Sequence, residues 1–421
     1  MASQITSGAG ERLHALDAVR GGALLLGIAV HLSMSFWPVP FWPIRDNDPS
    51  SELLTSFVVL HIFRMSLFFV LAGFFARLLF KRRGPVGFIK NRAQRIAVPF
   101  LVGWPLLFAA FIAVIIWWAV RSAGGGEPLQ PPQDQPGLSW KTLPLLHTWF
   151  LYVLLWLYAG TLLVVGALNV VDRKGRLGAA ADAVMRFIVR FQLAPIVAGT
   201  PLAAFFFFKE SWIMYGGVHT PDVGLLPNLQ AMVAFTSAFG FGWLLHRQMD
   251  LLSVWKRWWP LHLALAAALS GVCVVYAGMA VDPAAVADMS LAHRLGSSIV
   301  YPLAVWTWTF GLIGLSMAFL HRSNKTIRYL ADSSYWLYLI HLPVVMVFQV
   351  LFANVELAWF VKFPIMLALS FALMIASYQL LVRNTFIGGV LNGRRYPGAS
   401  RTAAHRAAET PTETPQLSAV H

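Results

Sequence analysis

The chain has 421 residues, 58% of them hydrophobic and 12% charged, with a formal net charge of +14 and a mean hydropathy of +0.64. A water-soluble chain of this length carries roughly twice that charged fraction, so lipid must cover part of the apolar surface. The Lys and Arg fall in short clusters between apolar runs, which is the pattern of membrane orientation rather than of nucleic-acid binding. Cys273 stands alone, so no internal disulfide and no cysteine metal cluster is possible.

In chain order, residues 1–15 read as a polar cytoplasmic N-terminus without a cleavage-like site, so the first helix is expected to stay as an anchor. Apolar runs long enough for a bilayer follow near 17–37, 53–80, 96–120, 142–171, 191–208, 226–246, 258–281, 296–320, 328–352 and 358–382. The fifth is short and interrupted by Pro195 and Pro201. Residues 121–139, rich in Gly, Pro and Gln, read as an outer loop, and 386–421 as a polar, disordered cytoplasmic tail. No internal repeat is visible, so the inverted-repeat signature of many transporters is missing. The expected fold is therefore an all-α integral membrane bundle of about ten transmembrane helices within residues 16–385.

The connecting loops sort into two alternating sets. One holds Lys81, Arg82, Arg83, Lys90, Arg92 and Arg95, then Arg173 to Arg190, Arg247 to Arg257, and Arg322 to Arg328. The other carries Asp46, Asp48, Glu52, Glu127, Asp134, Glu210, Asp222, Asp282, Asp288 and Glu356. The basic set belongs in the cytoplasm, which places both termini there. Trp37, Trp42, Trp117, Trp118, Trp140, Trp258, Trp259 and Trp359 sit at span ends as an aromatic belt.

An ionisable side chain at mid-bilayer costs at least about 2.5–3.5 kcal/mol on insertion scales, so such residues are functional candidates. Arg20 and His31 lie on one face of the first helix, roughly 16 Å apart along its axis. A cation low in the helix can hold an anionic donor and an imidazole higher up can take a proton. The plainer readings are a positive-inside anchor for Arg20 and a helix–helix hydrogen bond for His31. In the second span His61 and Arg64 share a face. Arg64 needs a partner, either a bound anion, a carbonyl or a carboxylate such as Glu52. Arg92 and Arg95, one turn apart, can fork onto phosphates or simply set topology and meet lipid headgroups. His147 opens the fourth span, and His341 falls mid-span before Pro343, where a structural hydrogen bond is the alternative to a site role. No phosphate loop, nucleophile elbow or zinc-binding motif is present.

Four of these segments resemble the acyltransferase-3 family of membrane acyltransferases. They are Leu16-Asp17-Ala18-Val19-Arg20-Gly21 with His31, the Phe68–Phe74 run, Arg92-x-x-Arg95 with Pro99, and the string from Ser334 through Tyr335, Tyr338, Ile340 and His341 to Pro343. Ala72 replaces the serine usual in the second. His61-x-x-Arg64 and His147-x-Trp149-Phe150-Leu151 look most like the branch that adds succinyl groups to osmoregulated periplasmic glucans. The resemblance implies a bacterial inner-membrane enzyme whose acyltransferase domain covers 16–385. It implies a cytoplasmic acyl-CoA donor, no permanently bound cofactor or metal, and a carbohydrate hydroxyl acceptor reached from outside.

On that reading His31 and Arg20 are catalytic, and Arg92, Arg95, Arg64, His61, His341, Asp17 and His147 surround donor or substrate. His31 either deprotonates the acceptor directly or forms a transient acyl-histidine. The alternative function is a secondary transporter or flippase for an anionic or sugar-linked substrate, with the intramembrane His and Arg as its path. A non-catalytic partner protein has no positive feature in its favour. The oligomeric state is not legible.

Overall fold

The computed structural model describes residues 2–122, 137, 139–209, 217–279, 290–320 and 324–393, with side chains from His14 onward. The outer loop expected at 121–139 and the segment from 394 to 421 lie almost wholly outside the described residues. Twelve helices are labelled here: α1 Ala2–Ser33, α2 Ser51–Arg92, α3 Val98–Ser122, α4 Trp149–Val171, α5 Arg176–Arg190, α6 Ala194–Phe208, α7 Leu229–Leu245, α8 Leu252–Met279, α9 Leu291–Phe319, α10 Lys325–Phe352, α11 Trp359–Ser377 and α12 Phe386–Asn392. No strand is present among the described residues; Pro144 and Val223 form one isolated bridge.

Among the described residues seven helical stretches are long and apolar enough to cross a membrane, or eight if the bent pair α5–α6 counts as one span. Two of the seven run for 72 and 50 residues, several times what a bilayer of about 30 Å requires. Both are broken. Gly84 takes a positive φ of 65° ahead of Pro85 in the first, and Gln248 leaves helical geometry in the second. The sequence count of about ten treats each limb of these stretches as a separate span.

The region 173–190, expected to be a basic loop, instead contains helix α5. Its Met185, Ile188 and Val189 are buried while its arginines stay outside, the distribution of an amphipathic helix. It meets α6 at 107°. α6 has only 15 residues and rises about 22 Å, too little to span alone. The boundary set at 385 also falls short: Phe386–Asn392 is helical and its Leu391 is buried in the main core.

Two interfaces fix the bundle around the site. α2 lies so close to α7 that a Cβ on Gly73 would come within 2.0 Å of the Phe239 carbonyl, and one on Gly242 within 1.9 Å of the Val70 carbonyl. Small residues at such crossings let helix backbones touch where lipid offers no hydrophobic drive. Gly73 closes the Phe-Phe-Val-Leu-Ala-Gly run, so its contact explains the glycine there. α1 packs along α10, and Gly21 leaves van der Waals room for Ala331. Large apolar side chains are left exposed on the outside of the bundle, Leu163 of α4 at 75% and Phe208 of α6 at 78%, as a lipid-covered surface allows.

A strap over residues 37–50 follows α1. Its Asp46 and Lys362 form a 2.7 Å ion pair whose side chains are 1% and 0% exposed, respectively. Lys362 also donates to the Asn47 side chain at 2.7 Å, and the backbone N–H of Trp359 donates to Asp48 at 2.6 Å.

Candidate active site

The stripe of α1 that carries Arg20, Leu24, Gly27 and His31 faces inward onto two adjoining cavities. The wider one has a volume of about 440 Å³. It is lined by Arg20, Arg82, Arg92 and Arg95, with Asp17 and Asp332 as the acidic members and Tyr158 and Tyr335 among the aromatic ones. The smaller one has room for about 50 Å³ and is lined by His31, Arg64, His147 and His341 among apolar walls. Leu24, Phe68, Phe150 and Tyr338 line both and form the partition between vestibule and inner chamber. Arg20 and His31 thus face two adjacent spaces rather than one shared cavity.

Arg20 forms an ion pair with Asp17 at 3.1 Å, both side chains 39% exposed, and its guanidinium lies over Phe75. At that exposure the pair adds little to stability. Arg92 donates to Asn91 at 2.7 Å and to the Tyr158 hydroxyl at 3.4 Å. Arg95 donates through Nε and Nη2 to the Leu391 carbonyl at 3.1 and 2.8 Å. This fork holds the last turn of α12, where helix carbonyls lack internal partners. Both arginines therefore use part of their donor set inside the protein while also lining the vestibule. Arg82 lines the same wall, although in the sequence it is one residue of a topology cluster.

Arg64 is 8% exposed, and its Nε and Nη1 have no hydrogen-bond partner among the described residues. Glu52, the carboxylate considered as its partner, instead accepts from the Ser50 hydroxyl at 2.7 Å at the start of α2. The ion pairs among the described residues involve Arg20, Arg247 and Lys362, not Arg64. A buried guanidinium without a counter-charge is a ready receptor for an anionic group. Nη1 approaches α1 where Gly27 has no side chain; a Cβ there would sit 3.2 Å from it.

The histidines form a row. The rings of His31 and His341 are 5.0 Å apart and those of His341 and His147 4.8 Å. Carbonyl oxygens only accept hydrogen bonds, so two tautomers follow from geometry. His341 donates from Nδ1 to the Tyr338 carbonyl at 2.6 Å. His147 donates from Nε2 to the Leu339 carbonyl at 2.8 Å. Tyr338 ties back through its hydroxyl to the His147 carbonyl at 2.8 Å. His61 is elsewhere: it stacks on Phe57 at 5.0 Å and does not line the inner chamber. Gln349, 1% exposed, donates to the His31 and Leu32 carbonyls at 2.9 and 3.2 Å and accepts from Trp42 at 2.9 Å. It pins the turn bearing His31 to α10 and to the strap. Nothing in the sequence singles out Gln349, while Tyr338 stands there only within the family-like string and Arg82 only within a basic loop cluster.

A family model described as an acyltransferase domain matches residues 13–379. The chain belongs to the acyltransferase-3 family. It is 30% identical over 143 residues to proteins named Glucans biosynthesis protein C from Salmonella heidelberg, Salmonella enteritidis and Salmonella agona. Those matches cover 34% of this chain and 36% of each relative, so the chain spans about a third of the curated relatives it matches. No solved structure matches the chain. The family match and the apolar helices make it a multi-pass membrane member of that family.

Proposed function

We propose that this acyltransferase moves an acyl group from cytoplasmic acyl-CoA to a hydroxyl of an extracytoplasmic carbohydrate, a periplasmic glucan in particular, and that it works in the bacterial inner membrane. The observation that carries the reading is the pair of adjoining cavities, one lined by four arginines and the next by histidines around an unpaired arginine. The vestibule suits the phosphates of coenzyme A: Arg20, Arg82, Arg92 and Arg95 outnumber Asp17 and Asp332. The thioester then reaches past Tyr338 into the inner chamber. His31 accepts the proton of the acceptor hydroxyl as its oxygen attacks the thioester carbonyl carbon. A C–O bond forms, the C–S bond breaks, and the proton passes from His31 to the departing coenzyme A thiolate. The reaction requires no resident cofactor.

The named relatives support a glucan acceptor. For the acyl group we propose succinyl, its free carboxylate bound by the unpaired guanidinium of Arg64. The test uses the purified full chain in liposomes with labelled succinyl-CoA and a β-glucan oligosaccharide. Label on the oligosaccharide supports the enzyme. Movement of substrate across the bilayer with no covalent label supports the transporter alternative and overturns the proposal.

A further inference from the structure

Resting on the reading of His31 as the base, we infer that His341 is the group that orients it: Nε2 of His341 accepts the Nδ1–H of His31 and leaves His31 Nε2 as the basic nitrogen. The short contact from His341 Nδ1 to the Tyr338 carbonyl puts the ring proton on Nδ1, so Nε2 of the neutral ring is an acceptor. That Nε2 is buried and has no partner among the described residues, and the same holds for Nδ1 of His31. Each is costly to leave unsatisfied, by about 1–3 kcal/mol. The two rings are neighbours, with centroids 5.0 Å apart and planes tilted by 49°. An end-on N–H···N bond between imidazoles places their centroids at about 5 Å, so a small ring rotation joins them.

Two neighbours narrow the choice of donor. His147 spends its Nε2–H on the Leu339 carbonyl, so its remaining nitrogen is an acceptor and cannot serve His341. Arg64 brings Nη1 against α1 at Gly27. The inner chamber has no carboxylate among its lining residues. The role that an aspartate plays beneath the histidine of a hydrolytic triad, fixing tautomer and stabilising the imidazolium, falls to an imidazole. During transfer His31 becomes doubly protonated and its Nδ1–H bond to His341 strengthens. The proton returns to the coenzyme A thiolate, so His341 ends the cycle unchanged. His341 thus acts through His31, as a positioning residue.

The test compares His341→Gln, His341→Asn and His341→Leu in the purified full chain, each checked for folding by its elution profile and thermal melt. The amide oxygen of glutamine reaches the position of Nε2, whereas asparagine reaches only that of Nδ1. With labelled succinyl-CoA and the β-glucan oligosaccharide, His341→Leu and His341→Asn are expected to lose at least about a hundredfold in kcat. The KM for the donor should change by less than about threefold, and His341→Gln should recover to within about tenfold of wild type. A packing role predicts leucine above glutamine, and a role through the Tyr338 tether predicts asparagine above glutamine. Either order overturns the inference, as do three fully active variants. If leucine does not fold, the glutamine–asparagine order alone decides. A folded His31→Ala variant with wild-type transfer would refute the base assignment. An inactive His31→Ala beside active His341 variants would remove only the role of His341.

Discussion

Replacing Lys362 with methionine removes the cation from a site that has almost no contact with water. Its ammonium lies 2.7 Å from Asp46 Oδ1 and 2.7 Å from Asn47 Oδ1, with both charged side chains at most 1% exposed. Without it, Asp46 keeps only the Asp48 backbone N–H at 2.9 Å, and Oδ2 already has no partner. Leaving one member of a buried pair costs about 3–5 kcal/mol, a factor of roughly 10² to 10⁴ in the folded-to-unfolded ratio. Removing both charges costs much less, because the desolvation of Asp46 is removed as well. Hence Lys362→Met should be strongly destabilised and Asp46→Leu/Lys362→Met should recover most of the loss. Burial, its largest influence, pushes the Asp46 carboxyl above the usual carboxylate range against the pull of Lys362. The folded state therefore holds that proton more tightly than the unfolded one. The stability gained from the proton is complete below the unfolded value of about 3.9 and lost as pH rises through the folded value. The defect of Lys362→Met should accordingly be largest at neutral pH and shrink on acidification. Denaturant unfolding in detergent, followed by tryptophan emission, reports all three proteins. A single variant as stable as wild type, or a double variant no better than the single, would refute the reasoning.

Arg64→Met should lose the preference for succinyl-CoA over acetyl-CoA; an unchanged ratio of kcat/KM in the folded variant removes the carboxylate assignment. Arg95→Ala frees the Leu391 carbonyl and one face of the vestibule, so the donor KM should rise about tenfold and α12 should become more accessible to protease. Both readouts staying at wild-type values would contradict its place in the wall. Gly242→Ala puts a methyl where the Val70 carbonyl leaves 1.9 Å. Overpacking of this kind costs about 1–3 kcal/mol, visible as an earlier unfolding transition, whereas Gly240→Ala, with open space around it, should be neutral.

The bilayer imposes a simple code, which is why most helices could be read from runs of apolar residues. The inward stripe of α1 was equally open to reading, because Arg20, Leu24, Gly27 and His31 recur at helical spacing. Helix α5 was not, since charge density alone made 173–190 look like a loop while its apolar positions sit on one face. Its relation to α6 depends on a bend that local sequence does not specify. The partition between vestibule and chamber comes from side chains of α1, α2, α4 and α10. The tie between Gln349 and His31 joins positions 318 apart in sequence. Such pairings exist only once helices have packed. Glu52 illustrates the opposite error: nearness in sequence suggested a partner for Arg64, but the start of α2 claims that carboxylate for the Ser50 hydroxyl.

The central claim is that transfer happens at His31 while the arginine vestibule holds the donor. Single-turnover transfer from labelled acyl-CoA, measured beside equilibrium donor binding in wild type and His31→Ala, tests it directly. In His31→Ala the donor affinity should stay within about threefold of wild type and the transfer rate should fall by at least about a hundredfold. A folded His31→Ala protein that transfers at the wild-type rate, or that loses donor binding instead, would contradict it.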